Sequence, residues 1–253
     1  QKAALVDAYL LGFEPAVDRP QPAPMVQGWA AAAQLANAAT DAAADAGDVN
    51  TLARLGRQVE QLCFLLDLLK KHEQVRPDQA DQLAAELDAR GRKAWGAVLA
   101  KEPGRADGYR GMAFLTERAK DWAGRDGWVA KGVAAAPDDP VLASYKSRIR
   151  QGRGQAAQSY LELARRAEEH PDQPVWWHLA AQAALAAGDR GLAIQACEKI
   201  LAGHPDDRGA RALMGLLLLE NGDAFRAFAV LDQVGTETLV RDPRLAQAYV
   251  RAM

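Results

Sequence analysis

The sequence is short of cysteine, histidine and aromatics, and each shortage closes off a class of protein. Its two cysteines, Cys63 and Cys197, stand 134 residues apart, with no CxxC spacing and no histidine at ligand distance. Neither a disulfide framework nor a zinc site is expected, and both cysteines read as buried free thiols within apolar helical patterns. The four histidines, His72, His170, His178 and His204, include no pair at helical ligand spacing, so no metal is expected. No apolar stretch approaches the ~20 residues of a membrane-spanning helix. The richest run, Trp29 to Ala39, is mostly alanine and is broken by Gln34 and Asn37. No secretory signal is visible. The chain begins at Gln1 rather than Met, which leaves the location open between a cytoplasmic one, slightly favoured, and a periplasmic one if a signal peptide was removed before Gln1. A net charge of -2 gives no global pull toward nucleic acid or an anionic membrane, and aromatic platforms for bases are not evident.

What is present is apolar residues at 49%, with alanine and leucine leading, and 25% charged residues of nearly balanced sign, a folded composition. The informative signal is periodic. Pro103, Pro137, Pro171 and Pro205 are each 34 residues apart. Ten residues after each comes a small residue: Ala113, Ser147, Ala181 and Gly215. Seventeen after come Lys120, Gly154, Gly188 and Gly222. Twenty-two after come Arg125, Ser159, Ala193 and Ala227. Small residues let paired helices approach closely. Glycine between them can take the left-handed conformation that ends a first helix. Asp189 and Asp223, following glycine, can cap the second. Proline then stops that helix and shapes the turn into the next unit.

This pattern resembles the tetratricopeptide repeat, a 34-residue helix-turn-helix unit with small eighth and twentieth residues and a proline at the thirty-second. Trp177 to Pro205 is the best copy, with Trp177, Ala181, Gly188, Asp189, Ala193 and Pro205 in place. The next has Arg211 where an aromatic is usual, the copy from Pro140 has Ala143 there, and the copy from Ala106 keeps Tyr109 but carries Arg125 at the twentieth position. The resemblance implies an all-α fold, a right-handed α-α superhelix of antiparallel helical hairpins. It covers residues 103–238, after an irregular helical part over 1–102 and before a C-terminal capping helix within 239–253.

Outside the repeats, Leu52, Leu55, Val59, Leu62, Cys63, Leu66 and Leu69 recur at helical steps and predict a strong amphipathic helix over Thr51 to Lys71. A polar linker, His72 to Pro77, leads to a helix over Asp78 to Lys101, with Gly91, Trp95 and Val98 in register before Pro103. Earlier, residues 2–12 read as a short helix, Pro15 to Pro24 as an extended connector and Met25 to Ala46 as an alanine-rich helix. Pro243 to Ala252 predicts a last helix with Leu245, Tyr249 and Val250 on one side. No sheet is expected.

No catalytic constellation stands in the sequence. Gly152 to Ala157 matches G-x-G-x-x-A but follows a helix rather than a strand, so it reads as a turn. No P-loop, HExxH or supported Ser-His-Asp set occurs, and no enzyme activity or cofactor is expected. His170 and His204 sit at equivalent places before a repeat proline and read as helix C-terminal residues. Lys146, Arg148, Arg150 and Arg153 make a local basic cluster, either a solvated face or a grip on an acidic peptide.

The resemblance also implies a ligand groove lined by first helices at fixed repeat positions. Carried onto this chain, the candidates are Arg110, Phe114, Arg118, Ser144, Arg148, Gln151, His178, Gln182, Leu185 and Leu216. The Lys-Asn clamp of chaperone-tail binders is not reproduced. The function implied is a protein-protein interaction module or adaptor that binds a peptide or partner subunit. A structural scaffold subunit of a bacterial envelope or secretion assembly, which could form a homo-oligomer, and a helical enzyme subunit stand as alternatives.

Overall fold

The computed structural model describes residues 38, 42, 43, 48–73, 75–235 and 242–253. Apart from residues 38, 42 and 43, the helices expected over 2–12 and 25–46 and the connector Pro15 to Pro24 lie outside the described residues. Every regular element among the described residues is helical. The chain divides into two compact units between Leu142 and Ala143.

The first unit contains α1 (Val49–Lys71), α2 (Pro77–Lys101), α3 (Ala106–Arg118) and α4 (Trp122–Ala135). Each packs on the next, and α1 also touches α3. All seven apolar residues of the α1 pattern are buried, as are Gly91, Trp95 and Val98 of α2. Trp95 is the large side chain between α1, α2 and α3, and it fits because two neighbours lack a side chain. A Cβ at Gly56 would stand 2.4 Å from its Cε2, and one at Gly111 would stand 2.0 Å from its Nε1.

Helix α5 (Pro140–Gly152) spans the division. The second unit continues with α6 (Ala156–Glu169), α7 (Val175–Ala186), α8 (Arg190–Gly203), α9 (Arg208–Glu220), α10 (Ala224–Leu231), a 3-10 turn (Asp232–Val234) and α11 (Pro243–Ala252). Within it, α6 to α10 also pack in sequence order. Ala181, Ala193 and Ala227 are fully buried and Ser159 is 2% exposed, so the small residues sit where helices meet.

The turn between the two helices of each repeat is built alike at all four places. Lys120, Gly154, Gly188 and Gly222 have φ of 57°, 74°, 79° and 82°. The following N–H then reaches back to the helix, from Asp121 to the Thr116 carbonyl and from Gln155, Asp189 and Asp223 to their equivalents, each at 2.9 Å. This is the Schellman closure, which satisfies carbonyls that a helix end leaves open. Asp121, Asp189 and Asp223 then cap the second helix through Gly124, Leu192 and Arg226 N–H groups at 2.8, 2.9 and 3.1 Å. Gln155 makes no such bond. The repeat prolines follow Glu102, Ala136, His170 and His204, the residues that cap the second helices.

At α11 the buried side is Leu245, Ala248 and Ala252, with Tyr249 partly buried. Val250, expected on that side, is 68% exposed, because it stands two residues from Ala248 and Ala252 and so turns away from their face. Tyr249 instead stacks on Phe228 and donates from its hydroxyl to Asp232 at 2.9 Å.

Candidate functional site

In the first unit α1 and α3 run side by side, and their facing residues form a ladder. Arg57 Nη1 meets Asp107 Oδ2 at 3.2 Å. Phe64 stacks on Phe114 with ring centroids 6.4 Å apart and planes 16° from parallel. Arg118 closes the ladder, bonding Asp67 and the Cys63 carbonyl. Arg57 and Phe64 each pair with a residue 50 positions on. Phe64 is 66% exposed, an unusual state for a large apolar side chain on an ordered helix, whereas Phe114 packs partly into the core.

Between the Arg57 and Phe64 rungs lies Glu60. Its Oε1 accepts from the Trp95 indole Nε1–H at 3.1 Å. Among the described residues it makes no ion pair. Burial pushes its carboxyl up to about 7; the indole bond and the charges of Arg110 and Arg57 pull the other way and lose. Arg110 is held instead by Asp139 at 3.6 Å.

A cavity of about 260 Å³, sharing Arg118 with this face, is lined by Cys63, Ala84, Ala85, Asp88, Leu115, Arg118 and Ala119. Burial pushes the Cys63 thiol up to about 11, so it stays protonated and a poor nucleophile. Cys197 is pushed up to about 12 by burial, and both cysteines are free and buried.

Of the residues proposed from sequence, Arg110, Phe114 and Arg118 fall together on this α3 face. The others lie beyond Leu142. There, Lys146 and Arg150 of the basic cluster both grip Glu162 of α6, and Arg148 lies over the Tyr145 ring at 4.6 Å. Gln151 donates to the buried Ser147 hydroxyl at 3.0 Å, and Ser144 is half-buried. His178 Nε2 meets Asp207 Oδ2 at 2.8 Å. The spacing of 29 residues matches Arg110 with Asp139, so both contacts join a first helix to the aspartate capping the next one. Gln182 is exposed, Leu185 packs against the core of α7 to α9, and Leu216 packs against Leu231, Val234 and Leu245.

Arg57, Glu60, Phe64 and Asp67 are the residues the repeat reading passed over. The α3 partners of Arg57, Phe64 and Asp67 lie 50 or 51 positions on, not 34, because α1 and α2 have 23 and 25 residues where α3 and α4 have 13 and 14. The polar face of the α1 amphipathic pattern was the available signal.

No protein-family model and no curated protein matches the chain. Solved structures do. Yeast Tom70 aligns with a TM-score of 0.52 at 11% identity, over 89% of this chain and 58% of that one. The fold is that of tetratricopeptide repeats. Pseudomonas aeruginosa pilF aligns over 84% of this chain and 86% of that one, at 17% identity and a TM-score of 0.49. YrrB, described as a TPR protein with an unusual peptide-binding site, aligns over 86% and 96%, at 13% identity and a TM-score of 0.45.

Proposed function

We propose that the chain is a protein-interaction module and that the α1–α3 face of its first unit holds a segment of a partner protein. The observation that carries this reading is the exposed Phe64 ring stacked on Phe114 between charged rungs. Exposed aromatics ringed by polar residues are the composition of binding hot spots rather than of ordinary solvated surface. The charged rungs Arg57–Asp107 and Arg118–Asp67 leave the apolar step bounded at both ends, which favours one short anchor over a broad sticky patch.

Arg110, Phe114 and Arg118 from the groove set belong to this face. Ser144, Arg148, Gln151, His178, Gln182, Leu185 and Leu216 form a separate set in the second unit and are proposed there only as secondary contacts. No helix among the described residues is long and apolar enough to cross a membrane.

The test uses peptides enriched from a random library on the intact chain. Phe64→Glu is expected to weaken them by about tenfold or more, as loss of an aromatic anchor does. Phe225→Glu, at an 86% exposed ring of α10, is the control and leaves binding unchanged. Equal binding to wild type and Phe64→Glu, or no enrichment at all, rejects the reading.

A further inference from the structure

We propose that Glu60 and Phe64 together seat a lysine or arginine side chain of the partner segment, its stem across the Phe64–Phe114 pair and its charged head on the Glu60 carboxylate. This rests on the docking face argued above and names the chemistry that the face selects.

Three observations lead to it. First, Glu60 and Phe64 are four residues apart on α1, so they are neighbours on one helix face. A cation held by the acid has its aliphatic stem over the exposed ring, where apolar burial and the ring face both favour it.

Second, Glu60 is the acid of the ladder whose charge is not answered. Asp107 has Arg57 and Arg105, and Asp67 has Arg118. Asp139 has Arg110. Among the described residues Glu60 has only the neutral indole N–H of Trp95. A half-buried carboxylate with one neutral donor is stabilised by either a proton or a cation. The free chain can supply the proton; a partner can supply the cation.

Third, the nearby cations do not already fill this role. Arg57, on α1 itself, and Arg110, on α3, each lie against a carboxylate of their own at 3.2 and 3.6 Å. Asp107, also on α3, adds negative charge at Glu60, and Trp95 reaches it from α2. The balance of these groups leaves Glu60 raised, not lowered. A partner cation therefore competes with a proton, and its binding weakens as the pH falls.

The probes are the peptides whose enrichment depends on Phe64. Each lysine or arginine in them is replaced in turn by norleucine, which keeps the stem and removes the charge. Binding is measured to wild type and to Glu60→Gln, whose amide oxygen can still accept from Trp95. The expected result is one basic residue whose replacement weakens binding about tenfold in wild type and hardly at all in Glu60→Gln. In wild type the complex should also weaken severalfold between about pH 8 and about pH 6, across the range where Glu60 titrates, and stay flat in Glu60→Gln. The Trp95 indole N–H resonance reports the same event directly, since that proton is bonded to Glu60: the peptide should shift it in wild type and lower its titration midpoint. Peptides that need Phe64 but show the same norleucine penalty in both proteins, or that carry no basic residue, overturn the cation seat and leave the docking face standing. Peptides indifferent to Phe64→Glu remove the docking face and this inference with it.

Discussion

One ring, Trp95, joins the packing of the first unit to its exposed face. Its faces and edge fill the space left open by Gly56 and Gly111, and its N–H holds Glu60. Gly111→Ala is expected to cost about 1–3 kcal/mol, the usual penalty of overpacking, because the ring cannot move 1 Å without losing either its pocket or its bond. Urea unfolding gives the magnitude, and the Trp95 indole resonance shows whether the ring moved. Glu60 makes the opposite prediction. Its folded value near 7 lies above its ordinary value of 4.5, so its contribution is fully present below about 4.5 and is lost as the pH rises toward 7. Above pH 7 the carboxylate bears its full burial cost, and Glu60→Gln should be more stable than wild type by roughly 3 kcal/mol, with the two converging in acid. A wild type that is the more stable of the pair at alkaline pH contradicts this. Lys120 is a third residue under constraint, with a left-handed φ of 57° where its counterparts are glycine. Lys120→Gly should gain about 0.5–1 kcal/mol, the relief of that conformation less the entropy glycine loses on folding.

Helix ends carry the second level of control. Asp207 caps α9 through the Ala210 N–H at 2.8 Å and holds His178 of α7 at 2.8 Å. Burial alone would raise its carboxyl, but the Ala210 bond and the His178 ring outweigh burial and hold it below the usual carboxylate range. Its stabilising effect is therefore present above its unfolded value of about 3.9 and is lost as the pH falls through its lower folded value. Asp207→Asn keeps a cap and removes the charge, so its deficit against wild type in urea should be steady near neutrality and vanish in strong acid. These ends were legible in the sequence because turn chemistry repeats: glycine, aspartate and proline each mark one backbone requirement at a fixed interval. The Lys120 turn was legible only through its neighbours, since lysine does not announce a left-handed residue. The α1 face was not legible by interval at all. Lengthening both helices of the first hairpin moves every facing pair out of the 34-residue register while keeping the amphipathic pattern that buries Leu52 to Leu69. Side-chain pairing across helices is also absent from a one-dimensional pattern: Arg118 and Arg110 read as cations awaiting a ligand, yet each is taken by an aspartate of the chain itself.

For the whole molecule, a stack of hairpins is stable only as far as its ends are covered, since each hairpin leaves an apolar face to the next. In the second unit α11 covers Leu231 and Val234 with Leu245 and Ala248. Removing residues 242–253 should cost on the order of 3 kcal/mol, the worth of exposing one or two large apolar side chains. It should also raise dye binding to exposed apolar surface and speed hydrogen exchange across α9 and α10. A smaller detail bears on how the chain ages. The turn after α9 is Asn221–Gly222, with the Gly222 N–H bonded to the Leu219 carbonyl at 3.0 Å. Deamidation needs that nitrogen to attack the asparagine side chain, and glycine is the neighbour that hinders the attack least. While the turn is closed the nitrogen is engaged, so this covalent clock runs slowly; each opening of the last repeat lets it advance. Chains aged under mild denaturation should collect isoaspartate at Asn221 first, and that extra backbone carbon would leave the turn unable to close again.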